Sequence, residues 1–391
     1  MHDIPVSLAT VSNILPLFNA LIILIGLLHG LVIIFFLTGL LRNNKKRQNN
    51  YTPFVSVIIA AHNEAQGIGD CLNTILDQSY PSDSYEIIVV DDRSTDETAE
   101  IAKTYSAKHA NLSVVHIDSV PSGIHPKKNA ITAGVKIARG EIIIETDADV
   151  SVGKNWIKSI TNSFTPDVGL VVGSSTIRKD KNRFLENFQA VDFLMLVASA
   201  QGALGHGMPM GATGQNLAYR KKVFDEVGGL SIDTRRYVSN DILFLTKVTK
   251  TGWKIAGNKD RDAIVSTLAV EGWRQFFSQR TRWASNAYWK EINSLLLLML
   301  GVNYIMNLFV LNGVFQLLST QSISMPLVYL ISYKFATEAI FLTVASSSFG
   351  RRDLLRSFPA WFMGVTPYII LVGLLGGIGI FKWKGYRVRS V

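Results

Sequence analysis

Asp147 and Asp149 stand one residue apart at the end of the run Glu141–Thr146, EIIIET. Two carboxylates separated by the small Ala148 can hold a hard divalent cation together with substrate phosphates. The same residues also fit a solvated turn, where aspartate is favoured. Two further polar clusters bear on the choice, Ala61-His62-Asn63-Glu64 and Asp91-Asp92. Each ends an apolar, β-branched run, FVSVIIAA from Phe54 and YEIIVV from Tyr85. Such runs read as strands buried on both faces.

The elements between the clusters decide how they are positioned. A helical pattern runs through Ile68, Leu72 and Ile75. Ser94-Thr95-Asp96-Glu97 reads as a capping box that opens a second helix. Leu112–Ile117 reads as a third strand, and His125–Arg139 as a helix closed by Gly140 just past its C-cap. Val168–Ser174 is one more strand, and Phe184–Ala200 is an apolar helix with few charges. Strands alternating with helices predict an α/β fold with a doubly wound, parallel sheet. The carboxyl ends of parallel strands share one edge, and ligands bind there. The three polar clusters therefore meet. No GxGxxG follows the first strand, so the dinucleotide fingerprint is missing. A carboxylate-lined edge repels a pyrophosphate unless a metal stands between them. The expected ligand is a base, a ribose and a metal-bound diphosphate.

The chain has 391 residues, 48% of them hydrophobic, with mean hydropathy +0.23 and net charge +9. The apolar excess lies at the two ends. Ile14–Leu41 is long enough to span a bilayer with some tilt. It is too long for a signal peptide, and no Lys or Arg precedes it. Arg42, Lys45, Lys46 and Arg47 follow it, which puts the N-terminus outside and the next domain in the cytoplasm. Ser294–Leu318, Pro326–Ser346 and Phe358–Phe381 form three more apolar stretches. Three full spans would leave Lys382, Lys384, Arg387 and Arg389 outside, so one segment is expected to be re-entrant or interfacial. Glu271–Ile292 carries Trp273, Phe276, Phe277, Trp283, Tyr288 and Trp289, the pattern of a core helix or a membrane-interface helix. Within the apolar stretches, His29 reads as a tolerated helix-face residue. Lys334 and Glu338, four apart, either neutralise each other or act together. The single cysteine, Cys71, excludes a disulfide framework and reads as core. The net charge points to an anionic membrane face or anionic substrates, since no nucleic-acid module is visible.

VSVIIAAHNE, VVDDRSTDET, PKKNAI, TDAD, TGQNLAYRKKVFDEVGG, SND and QRTRW occur in this order over residues 54–290. Together they resemble the membrane-bound family-2 glycosyltransferases, the group of cellulose, chitin, hyaluronan and poly-N-acetylglucosamine synthases and ceramide glucosyltransferase. The resemblance implies a GT-A type domain flanked by transmembrane helices. It implies that His62 and Glu64 lie in the donor site, His62 beside the nucleobase where the family usually has Tyr. Asp91 and Asp92 match the pair near base and ribose, and Lys127 matches a lysine near the diphosphate. Asp147 and Asp149 match the DxD motif, with Asp149 the expected direct ligand of Mg2+ or Mn2+. Asp241 matches the proposed catalytic base, although the acidic residue usually before it is Asn240 here. Gln279, Arg280, Arg282 and Trp283 match the Q-x-x-R-W motif near diphosphate and acceptor.

The implied function is transfer of a sugar from a nucleotide-sugar, expected to be a UDP-sugar, to a lipid or growing polysaccharide. Attack from the face opposite the leaving group would invert the anomeric centre. Residues 54–270 would form the cytoplasmic catalytic domain, after a short tail (1–13), a span (14–41) and a basic linker (42–53). Residues 271–292 would form the interfacial helix, 293–381 the C-terminal membrane region and 382–391 a basic tail, all at a bacterial inner membrane. A single N-terminal span and at most three C-terminal ones weigh against a large polysaccharide channel. Two other classes fit parts of the pattern: an inactive membrane-anchored sugar-nucleotide-binding protein, and a nucleotidyltransferase. The intact Asp147, Asp149, Asp241 and Arg282 count against the first. The second normally has a Gly-rich basic loop where this chain has AAHNEAQG.

Overall fold

The computed structural model describes residues 8–42, 51–122, 124–230, 240–285, 294–378, 380–383 and 386–389. The expectations for the N-terminal tail to residue 7, for most of the basic linker, and for Tyr288 and Trp289 fall outside them.

The main sheet forms where the sequence is β-branched and continuous. β1 (Val55–Ala61), β2 (Tyr85–Asp92), β3 (Leu112–Ile117) and β4 (Ile142–Asp147) run parallel. Both faces of β1, β2 and β4 are covered, which is why these strands lack alternation. The helices α2 (Ile68–Leu76), α3 (Thr98–Ser106) and α4 (Pro126–Ile137) are the crossovers. Beyond β4 come the short β5 (Val150–Ser151), α5 (Trp156–Thr161), β6 (Val168–Val172) and β7 (Ser175–Arg178). Then follow α6 (Phe184–Gly205), β8 (Leu217–Arg220), α7 (Lys221–Glu226), α8 (Asn240–Val248), β9 (Lys254–Gly257) and β10 (Val265–Leu268).

The seven-stranded sheet has the order β3-β2-β1-β4-β8-β6-β9. β8 runs antiparallel to both β4 and β6, so the sheet is mostly rather than wholly parallel. The strand order reverses between β1 and β4, the switch point where open α/β sheets bind ligands. A three-stranded sheet, β5-β10-β7, buttresses the segment after Asp149. Its junction with the main sheet is the buried Asn216. That side chain accepts from Trp156 Nε1 at 3.1 Å and donates to the carbonyls of Ser174 and Ala263 at 2.7 and 2.8 Å.

Several local expectations are corrected. The second crossover helix begins at Thr98, not beside Ser94, because Asp96 is the residue that accepts from Thr98 N, at 3.1 Å. Gly140 does not close α4 with a left-handed turn. It is needed because a Cβ there would lie 2.4 Å from Ser56 N. The buried face of α8 is Phe244, Leu245 and Val248, with Leu243 only partly covered. Asp241 lies inside the first turn of α8. Cys71 is buried core as expected, its Sγ 3.4 Å from the Asp147 carbonyl.

The apolar ends form α1 (Leu8–Leu41), α10 (Ser294–Thr320), α11 (Met325–Ser348) and α12 (Phe358–Ile378). Between α6 and these lies α9 (Trp273–Ser285). Among the described residues five helices are long and apolar enough to cross a membrane: α1, α6, α10, α11, and α12 with the turn before it. The most apolar stretch of α6 is 72% buried within the protein, so its apolarity serves internal packing. Phe381 belongs to β11 (Ile380–Trp383), which pairs with β12 (Tyr386–Arg389), so the expected third stretch ends earlier and part of the basic tail is a hairpin. His29 is not a spectator on a helix face. It is 2% exposed, and its Nε2 lies 3.7 Å from Glu338, which also holds Lys334 at 2.8 Å. The pair therefore neutralises itself with a third partner from α1.

Candidate active site

Register brings the three polar clusters together. Ala61 is paired with Asp91, and Ala60 with Asp147. The loops after β1 and β2 are laced to each other. Asn63 N donates to Ser94 Oγ at 3.0 Å, Thr95 N to Asn63 Oδ1 at 2.8 Å, Glu64 N to Thr98 Oγ1 at 2.8 Å and Ala65 N to Asp96 Oδ2 at 3.1 Å. His62 Nδ1 lies 2.6 Å from the Asp92 carbonyl oxygen. Asn63 and Arg93 both take φ = 56°. That region is costly for a side chain like arginine, and strain of this kind gathers at functional sites. Asp91 is fully buried, its Oδ2 2.6 Å from His116 Nδ1, and Asp92 holds Arg93 at 2.9 Å.

Asp147 and Asp149 close the edge. A Cβ on Gly67 would lie 3.1 Å from Asp149 Cα, so any larger residue there would push the acidic turn back by a few tenths of an ångström. The crowded recess withdraws the Asp149 carboxyl from bulk water, and Asp147 and Glu64 add like charge. Its pKa is pushed up to about 6, although the residue keeps accessible surface. Among the described residues no group of three His, Cys, Asp or Glu side chains converges as a metal cage. Two carboxylates of which one resists ionisation still suit a divalent cation that takes its remaining oxygens from water and phosphates.

Lys127 enters from the first turn of α4, with its Nζ 2.5 Å from Asp147 Oδ1. A cation in a first helical turn opposes the helix dipole, so an anion must compensate it. A Cβ on Gly214 would lie 3.7 Å from Lys127 Nζ and 3.9 Å from Asp241 Cγ. Gly214 thus marks the point where Lys127 and Asp241 converge. Burial raises the Asp241 pKa against the opposing pull of Lys127 and Arg282. Burial works against the Lys127 ammonium, but Asp147, Asp241 and Glu145 outweigh it and hold the group above the usual lysine range. His125, the residue before α4, is pushed down to about 4 by burial and then by Lys128, Lys127 and Arg282.

The QRTRW segment divides on α9. Arg282 is electrostatically coupled to Asp241 and His125, while Gln279 and Trp283 are partly buried on the same helix. Arg280, expected near the diphosphate, is buried toward α6 instead. Its Nε lies 3.2 Å from Asp192, and its guanidinium carbon sits 4.1 Å from the Trp283 ring centroid and 5.2 Å from that of Phe276. Residues 280 and 282 are about 200° apart on a helix, so both cannot face one site.

Sequence reading missed three charged or titratable residues in and beside this site, Glu145, His116 and Asp192. Glu145 shares a strand face with Asp147, two residues on. It is buried, hydrogen-bonds Tyr219 Oη at 2.5 Å and is pushed up to about 7 by burial, despite Tyr219 and Lys127. The signal was a glutamate inside an isoleucine run. His116 is the next-to-last residue of β3, paired with Asp91, and Asp192 was the rare charge in an apolar helix.

A mostly parallel sheet with acidic loops at its switch point, a lysine across the DxD turn and helices long enough to cross a membrane define a glycosyltransferase of the GT-A type. The chain belongs to glycosyl transferase family 21, whose model matches residues 19–370. It is 26% identical over 360 residues to the probable glycosyltransferase YdaM of Bacillus subtilis, covering 85% of this chain and 84% of that protein. It is 24% identical over 257 residues to a beta-monoglucosyldiacylglycerol synthase of Nostoc, covering 64% of this chain and about half, 53%, of that one. A mannosyltransferase of Pyrobaculum calidifontis, solved with GDP-Man and Mn2+, shares the fold with TM-score 0.56 at 19% identity, over 92% of this chain and 98% of that chain.

Proposed function

We propose that the chain moves a sugar, with inversion, from a nucleotide-sugar donor to a lipid or growing polysaccharide at a membrane surface. One observation carries this reading: Lys127, Asp147 and Asp241 meet around Gly214 at the switch point of the sheet. His62, Asp91 and Asp92 would hold base and ribose, with a UDP-sugar the expected donor. Asp147 and Asp149 would hold Mg2+ or Mn2+, which when bound neutralises the diphosphate leaving group. Lys127 and Arg282 would add positive charge to that leaving group. Asp241, whose raised pKa makes it a stronger base, would take the proton of the acceptor hydroxyl. Gln279 and Trp283 would line the acceptor approach, and Glu64 the metal side of the donor. Arg280 would act at one remove, by fixing α9.

The relatives' names support both acceptor classes. One is a glucosyldiacylglycerol synthase and another, 26% identical over 251 residues, a poly-beta-1,6-N-acetyl-D-glucosamine synthase of Staphylococcus epidermidis. The meeting of Lys127, Asp147 and Asp241 speaks against the inactive-binder reading, and the family is one of glycosyl rather than nucleotidyl transfer. We also propose the expected division of the chain, with α1, α10 and α11 spanning an inner membrane and residues 54–270 cytoplasmic. Incubating membranes that carry the chain with a series of radiolabelled nucleotide-sugars, then sizing the labelled product, tests the reading. Label should appear in a lipid-sized or polymeric product. Donor binding without transfer to either would defeat it.

A further inference from the structure

A cavity of about 600 Å³ is lined by Lys179, Asn182, Asn187, Arg352, Asp353 and Arg356, among others, none of them a residue of the acidic edge. That size suits a small organic ligand. Its three cations outnumber its one carboxylate, and Asp353 is already held by Lys179 at 2.8 Å and Arg351 at 3.1 Å. Arg352 and Arg356 lie in the 3-10 turn Arg352–Ser357, both exposed. This turn joins α11 to α12, two of the helices apolar enough to cross a membrane. It is tied to the catalytic domain because Arg351 donates to the Ile177 carbonyl at 2.6 Å. The cavity therefore stands where a bilayer surface would meet the domain.

Asn187 adds a requirement of its own. Its amide nitrogen donates to Asn182, at 3.2 Å to the carbonyl and 3.0 Å to Oδ1. Its Oδ1 is buried and accepts from no donor among the described residues. A buried acceptor of this kind calls for a donor. One turn earlier on α6, Phe184 is 54% exposed, its ring against Phe188 and Trp273. Cations for a phosphodiester, an acceptor for a hydroxyl and apolar helices on either side of the turn describe one kind of molecule.

We propose that this cavity binds the headgroup of an anionic phospholipid that carries free hydroxyls, of the phosphatidylglycerol kind. It rests on the membrane placement proposed above, and neither the donor site nor Asp241 takes part. Arginine forks suit phosphate oxygens, and a basic pocket beside an apolar helix is a known way to hold lipid headgroups. Bound there, the lipid would fix the turn between α11 and α12 against β7.

The test uses the full chain in nanodiscs of phosphatidylcholine doped with phosphatidylglycerol or with phosphatidic acid. Native mass spectrometry then reads the lipid retained per chain. Phosphatidylglycerol should be retained over phosphatidylcholine. The Arg352→Gln/Arg356→Gln double variant should lose about ten-fold in that retention, equivalent to about 1.4 kcal/mol. Lys103→Gln/Lys108→Gln, an equal charge change on exposed residues of α3 and its end, should not. Asn187→Leu should erase the preference for phosphatidylglycerol over phosphatidic acid. Equal retention of phosphatidylglycerol and phosphatidylcholine, or a double variant that retains lipid like wild type, overturns the proposal. Inorganic phosphate binding the detergent-solubilised chain as tightly as the lipid would assign the cavity to a soluble anion and overturn the lipid. No sugar transfer is read, so failure here and failure of the proposed function are separate results.

Discussion

Lys127 Nζ lies 2.5 Å from Asp147 Oδ1, so the first carboxylate of the acidic turn already has a cationic partner. Both side chains are about one-third exposed, at 31% and 34%, so the pair itself contributes little to stability. Under the proposed function its use would be an exchange, a diphosphate taking the ammonium while a cation takes the carboxylate.

Lys127→Gln is therefore expected to fold normally and to weaken binding of a nucleoside diphosphate by about ten-fold or more, roughly the 1.5–3 kcal/mol of a charge-assisted hydrogen bond. Titration calorimetry with the metal present reads this directly. Wild-type affinity in the variant would remove Lys127 from the donor site.

Metal binding should depend on pH through Asp149. Its pKa of about 6 lies above the usual carboxylate value, so at pH 5 the carboxyl is mostly protonated and must release its proton to bind a cation. Apparent Mn2+ affinity should rise between about pH 5 and 7 and level off above. Without metal the sign for stability is the reverse. A raised carboxyl pKa favours the folded state at low pH, and that contribution is lost as pH rises through about 6. Asp149→Asn should flatten both profiles and abolish transfer. Full activity in this variant, or in wild type with excess chelator, would refute the metal assignment.

Asp241→Asn separates chemistry from architecture. Asp241 sits in the first turn of α8, where Asn is well tolerated. Folding and donor binding should stay near wild type, while transfer falls by roughly 10²–10⁴-fold. A comparable turnover rate would make Asp241 a helix-terminal residue and leave the proton to another group.

Arg280 and Arg282 should fail differently. Arg280→Ala leaves the buried Asp192 carboxylate without its cation and should destabilise the protein by about 3–5 kcal/mol. Arg282→Ala, on the partly exposed side of α9, should keep its melting temperature and lose transfer. The combined Arg280→Met/Asp192→Leu variant should recover much of the lost stability, since burying neither charge is often neutral. Thermal melts of the purified variants decide, and equal melting temperatures for Arg280→Ala and wild type would discard the anchor.

Contacts near both ends of α12 are with elements attached to the catalytic domain. Asp353, just before it, holds Lys179 at 2.8 Å, and a Cβ on Gly376, near its end, would lie 2.8 Å from Ala284 Cβ of α9. A reporter fused to the C-terminus should therefore score on the same side as the catalytic domain. A score on the opposite side would show that α12 spans fully.

Much of the site was legible because its residues sit at the ends of strands that announce themselves. FVSVIIAA, YEIIVV and EIIIET are buried by their own composition, and parallel strands must share a carboxyl edge. His62, Asp91, Asp147 and Asp149 follow from that alone. The motif order extended the reading to Lys127, Asp241 and Arg282. Glu145 was hidden because a lone glutamate in an apolar strand has no local partner, and only the antiparallel β8 supplies Tyr219. Asp192 and His29 were hidden for the same reason.

Hydrophobic pattern and turn chemistry thus determined the class of fold, the acidic edge and the apolar ends, since both depend on residues near in sequence. Which way β8 runs, that Arg280 turns from the site while Arg282 faces it, and that Lys334, Glu338 and His29 share one buried cluster were decided only by tertiary packing. These depend on partners brought from distant segments. A buried charge costs too much to stand alone, so its position is fixed by whichever element can pair it.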